Sequence, residues 1–134
     1  MIADLSPGEE GVATLLIVDD DAPVLFGMQE YFSACGFDVD GATEFEVAQE
    51  LLKKKEYSVV IADLRLSGTN GTEGLEVVQL VRERWPNTRT ILLTAYGSAE
   101  IERAAIDKGV DHVLSKPQPM RELRKVVAGL LPQM

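Results

Sequence analysis

Ser58-Val59-Val60-Ile61-Ala62-Asp63 is the stretch that decides the fold. Val59, Val60 and Ile61 are β-branched and apolar, and the run stops at a single carboxylate. Such a run fits a strand covered on both faces, as strands of parallel sheets are. In an open parallel sheet, ligands meet the carboxyl ends of the strands. Asp63 therefore stands at the edge where such a sheet does its chemistry, and it is the first candidate for a reactive group.

The flanking sequence repeats the same unit. Upstream, Thr14 to Val18 (TLLIV) is a second apolar run, followed at once by Asp19, Asp20 and Asp21. Pro23 suits the first turn of a helix and Asp21 its cap. Val24, Leu25, Met28, Tyr31, Phe32 and Cys35 share one helical face, and Gly36 ends the helix. On that face Cys35 reads as a buried structural thiol. Phe37 to Asp40 alternates like a half-exposed edge strand. Thr43-Glu44-Phe45-Glu46 has the pattern of a capping box, with Val47, Ala48, Leu51 and Leu52 as the buried stripe behind it. Lys53, Lys54 and Lys55 suit the negative end of that helix.

Downstream of Asp63, residues 64–74 (LRLSGTNGTEG) form a glycine-containing loop, rather long for a strand-to-helix connection. Leu75, Val78, Val81 and Trp85 give the next helical stripe, which Pro86 ends. Arg89 to Leu93 is a strand ending in Thr94-Ala95. Tyr96-Gly97-Ser98 makes a turn and cap, Ala99 to Lys108 a helix, and Gly109 its stop. Val110 to Leu114 is a fifth strand, ending in Ser115-Lys116-Pro117. Pro119 opens a last helix with Met120, Leu123, Val127 and Leu130 inward. Five strand–helix repeats predict a doubly wound α/β sandwich with right-handed crossovers and helices on both faces.

Bulk properties narrow the function. The chain has 134 residues, 46% of them apolar, which suits one domain with an ordinary core. Residues 1–13 lack periodicity and read as a flexible tail, leaving 14–134 as the domain. A formal charge of −9 argues against direct nucleic-acid binding and against an anionic membrane surface. The single Cys35 cannot form an internal disulfide. No signal-peptide pattern opens the chain and no apolar run reaches membrane-spanning length, so a cytoplasmic location is expected.

The residues that end the strands carry the chemistry. Asp19 and Asp20 end the first, Asp63 the third, Thr94 the fourth and Lys116 the fifth. A parallel sheet would bring them to one edge. Three carboxylates there would repel one another and raise one another's pKa. A hard divalent cation resolves the conflict, and Mg²⁺ takes one or two carboxylates together with a phosphate and several waters. Aspartyl-phosphate formation is a known nucleophilic route. Mg²⁺, the Lys116 ammonium and the Thr94 hydroxyl could supply the charge and donors that a phosphoryl group requires.

LLIVDDD at 15–21, VVIADLRLSG at 59–68, ILLTAYG at 91–97 and Ser115-Lys116-Pro117 together resemble the receiver domain of bacterial two-component response regulators. The resemblance covers residues 14 to about 131. It implies a flavodoxin-like five-stranded parallel sheet in order 2-1-3-4-5. It implies that Asp63 is the phosphoacceptor, that Asp19, Asp20, Asp63 and the backbone carbonyl of Arg65 hold Mg²⁺, and that Thr94, Ala95 and Lys116 contact the phosphoryl group. A sensor histidine kinase or phosphotransfer protein would be the donor. A downstream protein or output domain would read the switched surface, and a homodimer could form through the fourth helix, fifth strand and fifth helix. The sequence departs from the family pattern at Val113, where an aromatic is usual. It also has Ser67 in place of a proline, Gln118 in place of a frequent aromatic, and a loop about three residues longer. Tyr96 could take part of the absent aromatic's role.

Other functions fit less well. An aspartyl-nucleophile phosphatase commonly has a second Asp two residues on, where this chain has Arg65, so a switch rather than an enzyme is expected. A flavin phosphate would meet Asp19, Asp20 and Asp21 instead of a hydroxyl- and glycine-rich loop. A receiver-like binding module that works without phosphorylation is the remaining alternative.

Overall fold

Each apolar run pairs with the next across a single parallel sheet. In the computed structural model, which describes residues 12–66, 73–95 and 97–132, ten elements alternate. They are β1 (Thr14–Val18), α1 (Ala22–Ala34), β2 (Asp38–Ala42), α2 (Phe45–Lys54), β3 (Val59–Asp63), α3 (Glu73–Arg84), β4 (Arg89–Thr94), α4 (Ala99–Asp107), β5 (His112–Ser115) and α5 (Met120–Leu130). The strand order is β2-β1-β3-β4-β5, all parallel, as expected. The tail over residues 1–11, Ser67 and the rest of the loop up to 72, and Tyr96 lie outside the described residues.

Alternation along the strands divides the core in two. Leu16, Val18, Val60, Ala62 and Leu92 face α2, α3 and α4 through Ala48, Leu52, Val78, Val81 and Ala105. Leu15, Ile17, Ile61, Ile91 and Leu93 face α1 and α5 through Leu25, Met28, Phe32, Leu123 and Val127. Every residue of β1 and β3 is buried, which accounts for their unbroken apolar runs. β1 and β3 are also central, so the acids that follow them emerge mid-sheet.

Local chemistry sets the ends. Asp21 caps α1, its Oδ1 accepting from the Val24 N–H at 3.2 Å, with Pro23 in the first turn. Ser98 caps α4 by accepting from the Ile101 N–H. Gly36 and Gly109 follow α1 and α4 at φ 99° and 92°, a left-handed backbone that favours glycine.

Several expectations need correction. Val24 and Val47 are exposed. Each precedes a buried residue, Leu25 or Ala48, and one helical step of about 100° turns it to solvent. Cys35 is only partly buried, because it caps the end of α1, where Arg124 Nη1 lies 3.6 Å from its sulfur. The capping box does not form: Glu44 is the cap of α2 and makes no side-chain capping bond. β2 runs to Ala42, in register with the whole of β1. β5 starts at His112, since the Val110 N–H is spent on the Ala105 carbonyl in the turn after α4.

Candidate functional site at the carboxyl edge of the sheet

The register brings the predicted residues together. Val18 pairs with Ala62, Asp63 with Leu93, and Thr94 with Ser115. The chain therefore leaves β1, β3, β4 and β5 at one edge. Backbone bonds continue the ladder past the strands. The Asp19 N–H donates to the Ala42 carbonyl, Leu64 to Leu93 and Lys116 to Thr94, at 2.8–3.0 Å. These bonds hold Asp19, Asp63 and Lys116 on the sheet itself rather than on free loops.

Asp19 and Asp63 are buried, while Asp20 is exposed. Each of the three offers a carboxylate oxygen within 4.8 Å of the other two. Lys116 Nζ lies between the buried pair, 3.2 Å from Asp19 Oδ2 and 3.3 Å from Asp63 Oδ2. The second Asp19 oxygen accepts from the Asp21 N–H at 2.9 Å. Asp21 turns its own carboxylate to the α1 cap and stands outside the cluster, as its sequence position suggested.

Electrostatics follow from this crowding. Burial, and then repulsion by Asp19 and Asp20, hold the Asp63 carboxyl above its ordinary range despite Lys116. Asp20 is raised by partial burial and by Asp19. Burial alone would lower Lys116, but the carboxylates of Asp63 and Asp19 outweigh it and raise its pKa. The site thus holds more negative charge than its neighbours stabilise. A cluster of carboxylate oxygens in this state suits a hard divalent cation, which would favour their ionised forms.

The cleft above these groups is lined by Asp20, Asp63, Leu64, Arg65, Thr94, Ala95 and Lys116 and has a volume of about 240 Å³. That is below the roughly 300–1,000 Å³ typical of organic-ligand sites. A phosphoryl group with a hydrated cation suits it better than a flavin does. Thr94 is buried at the end of β4, beside Ala95. Val113 lies deeper in β5, opposite Leu92, and packs against the core shared with α4. It does not line the cleft. The Lys116–Pro117 peptide is cis.

Two features were missed in the sequence. Leu64 and Leu66 are buried in the core on either side of exposed Arg65, so this part of the predicted loop is anchored. The alternation Leu-Arg-Leu was the available signal. Gly74, read as a loop residue, lies in the first turn of α3 against the Asp63 backbone. A glycine inside a helical pattern is a sign of close approach.

Known proteins share the sequence pattern and the fold. A response regulator receiver domain model matches residues 15–128. The photosynthetic apparatus regulatory protein RegA of Cereibacter sphaeroides is 34% identical over 110 residues, which cover 82% of this chain and 58% of RegA. The chain therefore spans little more than half of that relative. A CheY-like receiver domain protein from Methanospirillum hungatei superposes with a TM-score of 0.82 at 24% identity, over 90% of this chain and 94% of that one. A Burkholderia pseudomallei response regulator, solved with a phosphorylated aspartic acid, calcium ion and citrate, superposes at 0.79 and 22% identity over 86% of this chain and 66% of that one. Among the described residues, no helix is long and apolar enough to cross a membrane. Matched over most of its length by a single family model and sharing that family's fold, the chain belongs to the response regulator receiver domains.

Proposed function

We propose that Asp63 is the phosphoacceptor of a His-Asp phosphorelay, within a receiver domain spanning 14–134. The observation that carries this is a buried carboxylate at a central strand end, 3.3 Å from a lysine and beside two further acids. An Asp63 oxygen attacks phosphorus, the bond from phosphorus to the donor imidazole nitrogen breaks, and the electron pair stays on that nitrogen. Asp19, Asp20, Asp63 and the Arg65 carbonyl would hold Mg²⁺, which supplies charge neutralisation at the phosphoryl oxygens. Lys116 pairs with the new negative charge, and the Thr94 hydroxyl and the Ala95 backbone contact the phosphoryl oxygens.

The acyl phosphate carries about −1.5 to −2 charge where the Asp63 carboxylate carried −1, so up to about one further negative charge and three acceptor oxygens are added at this edge. Drawing Thr94 toward it would bias the surface made by α4, β5 and α5, which a downstream protein, an output domain or a second copy would read. A sensor histidine kinase or phosphotransfer protein is the donor, and the setting is cytoplasmic.

Intact mass after incubation with acetyl phosphate tests this. The expected result is a hydroxylamine-labile gain of one phosphoryl group, mapped to Asp63, needing Mg²⁺ and absent from Asp63→Asn. A gain that survives chelation or labels Asp63→Asn equally would overturn it. No gain from either acetyl phosphate or a phosphorylated kinase would favour a binding module that works without phosphorylation.

A further inference from the structure

We infer that Gly74 is a positioning residue for the site, setting the backbone that presents Asp63 and Arg65. The inference rests on the phosphoacceptor reading above. The Leu64 peptide groups are held from two sides. Its N–H donates to the Leu93 carbonyl of β4, and its carbonyl accepts from the Gly74 N–H, both at 2.8 Å. That N–H belongs to the first turn of α3, where no intrahelical acceptor exists for it. The start of α3 therefore docks on the chain immediately after the phosphoacceptor.

This docking needs the absence of a side chain. A Cβ on Gly74 would lie 2.7 Å from Leu64 Cα and 2.9 Å from the Asp63 carbonyl carbon, and closer still to the Asp63 carbonyl oxygen. All three are backbone atoms, which have no rotamer through which to yield. Relief must come from moving α3 or from moving the Asp63–Leu64 backbone. Moving α3 is opposed by Leu75, Val77, Val78 and Val81, all buried in the core. Asp63–Leu64 is likewise held, by β4 and by the buried Leu64 side chain, so the displacement is shared between α3 and this segment, and the share that reaches Leu64 carries the Arg65 carbonyl with it. Leu64 and Leu66 fix this segment laterally, and Gly74 sets how closely α3 presses on it from behind.

Gly27 is the internal control. It also lies within a helix, α1, but an added Cβ would meet nothing within 4 Å. The experiment measures Mg²⁺ affinity by calorimetry and acetyl phosphate uptake by intact mass, for the native chain, Gly74→Ala and Gly27→Ala. Gly74→Ala is expected to lose at least tenfold in both while keeping a native circular dichroism spectrum, and Gly27→Ala to match the native chain. A folded Gly74→Ala with native affinity and uptake, even if it melts earlier, would reduce Gly74 to a packing residue and overturn the inference.

A second measurement needs no variant. In the native protein, Mg²⁺ should slow hydrogen exchange at the Gly74 N–H several-fold, because the carbonyl it grips lies one residue before Arg65. If Gly74→Ala does not fold, unchanged Gly74 exchange on saturation with Mg²⁺ would overturn the inference. Failure of the native chain to bind Mg²⁺ or take up phosphoryl would instead overturn the phosphoacceptor reading, and this inference with it.

Discussion

The two edges of the sheet handle polar groups in opposite ways. At the amino edge, most polar groups meet matched partners, the buried Thr90 hydroxyl being an exception. Thr14 and Ser58 exchange backbone-to-hydroxyl bonds at 3.1 Å. Thr88 donates its hydroxyl to the Tyr57 carbonyl. Asp111 accepts from the Thr90 N–H at 2.8 Å and pairs with Arg89 at 3.0 Å. The Tyr57 hydroxyl donates to Asp40 at 2.6 Å, and burial followed by that bond pushes the phenol pKa upward. At the carboxyl edge, Asp19, Asp20 and Asp63 crowd around the Lys116 ammonium, and two of the three carboxyls are raised. The amino edge is built to hold the fold together. The carboxyl edge is left short of positive charge, which suits it to a cation and means that, on the proposed function, a phosphoryl group would need that cation beside it.

Altering the carboxyl edge should break this contrast most strongly. Lys116→Ala removes the ammonium from a buried pair. It should cost about 2–3 kcal/mol of metal-free stability, with Mg²⁺ restoring part of it, as urea titration would show. At the amino edge, Asp111→Ala should cost about 1–2 kcal/mol by the same titration and leave phosphoryl uptake native. If Asp111→Ala also impaired uptake, the division of labour between the edges would be wrong.

A pH series sharpens the comparison. Because the folded pKa of Asp63 lies above the ordinary 3.8, the folded site binds a proton before the unfolded chain does. The metal-free native protein should therefore be less stable than Asp63→Asn at neutral pH. That deficit should shrink as pH falls through the raised pKa toward 3.8. A deficit that grew on acidification would give Asp63 the opposite sign. The smallest effect is expected on the surface. Lys53→Ala, which removes an exposed 3.4 Å pair with Glu50, should change stability by about 0.5 kcal/mol or less.

The carboxyl edge was more legible in the sequence than much of the rest. Unbroken apolar runs such as 15–18 and 59–62 mark central strands, and the polar residue that ends each run marks the edge. Asp19, Asp63 and Thr94 could be placed that way, whereas Lys116 follows the interrupted run 110–114 and Ser115 and was placed by the repeat of strand and helix. What was not legible depends on long-range packing. Val24 and Val47 look apolar and periodic, but only the sheet fixes how each helix is rotated about its axis. The start of β5 was misplaced because Val110 is used by the turn after α4, a bond that depends on where α4 ends. Gly74 resembled its loop neighbours because a close approach to Asp63 is visible only once α3 is seated on the core.

The most direct test of the contrast between the edges is thermal unfolding of the native chain and Asp63→Asn, with Mg²⁺ and with chelator. In chelator, Asp63→Asn should melt above the native protein. Saturating Mg²⁺ should raise the native midpoint and close or reverse the gap, since a ligand that binds only the folded state stabilises it by mass action. A native protein that melts above Asp63→Asn in chelator, and whose midpoint Mg²⁺ does not move, would contradict the account.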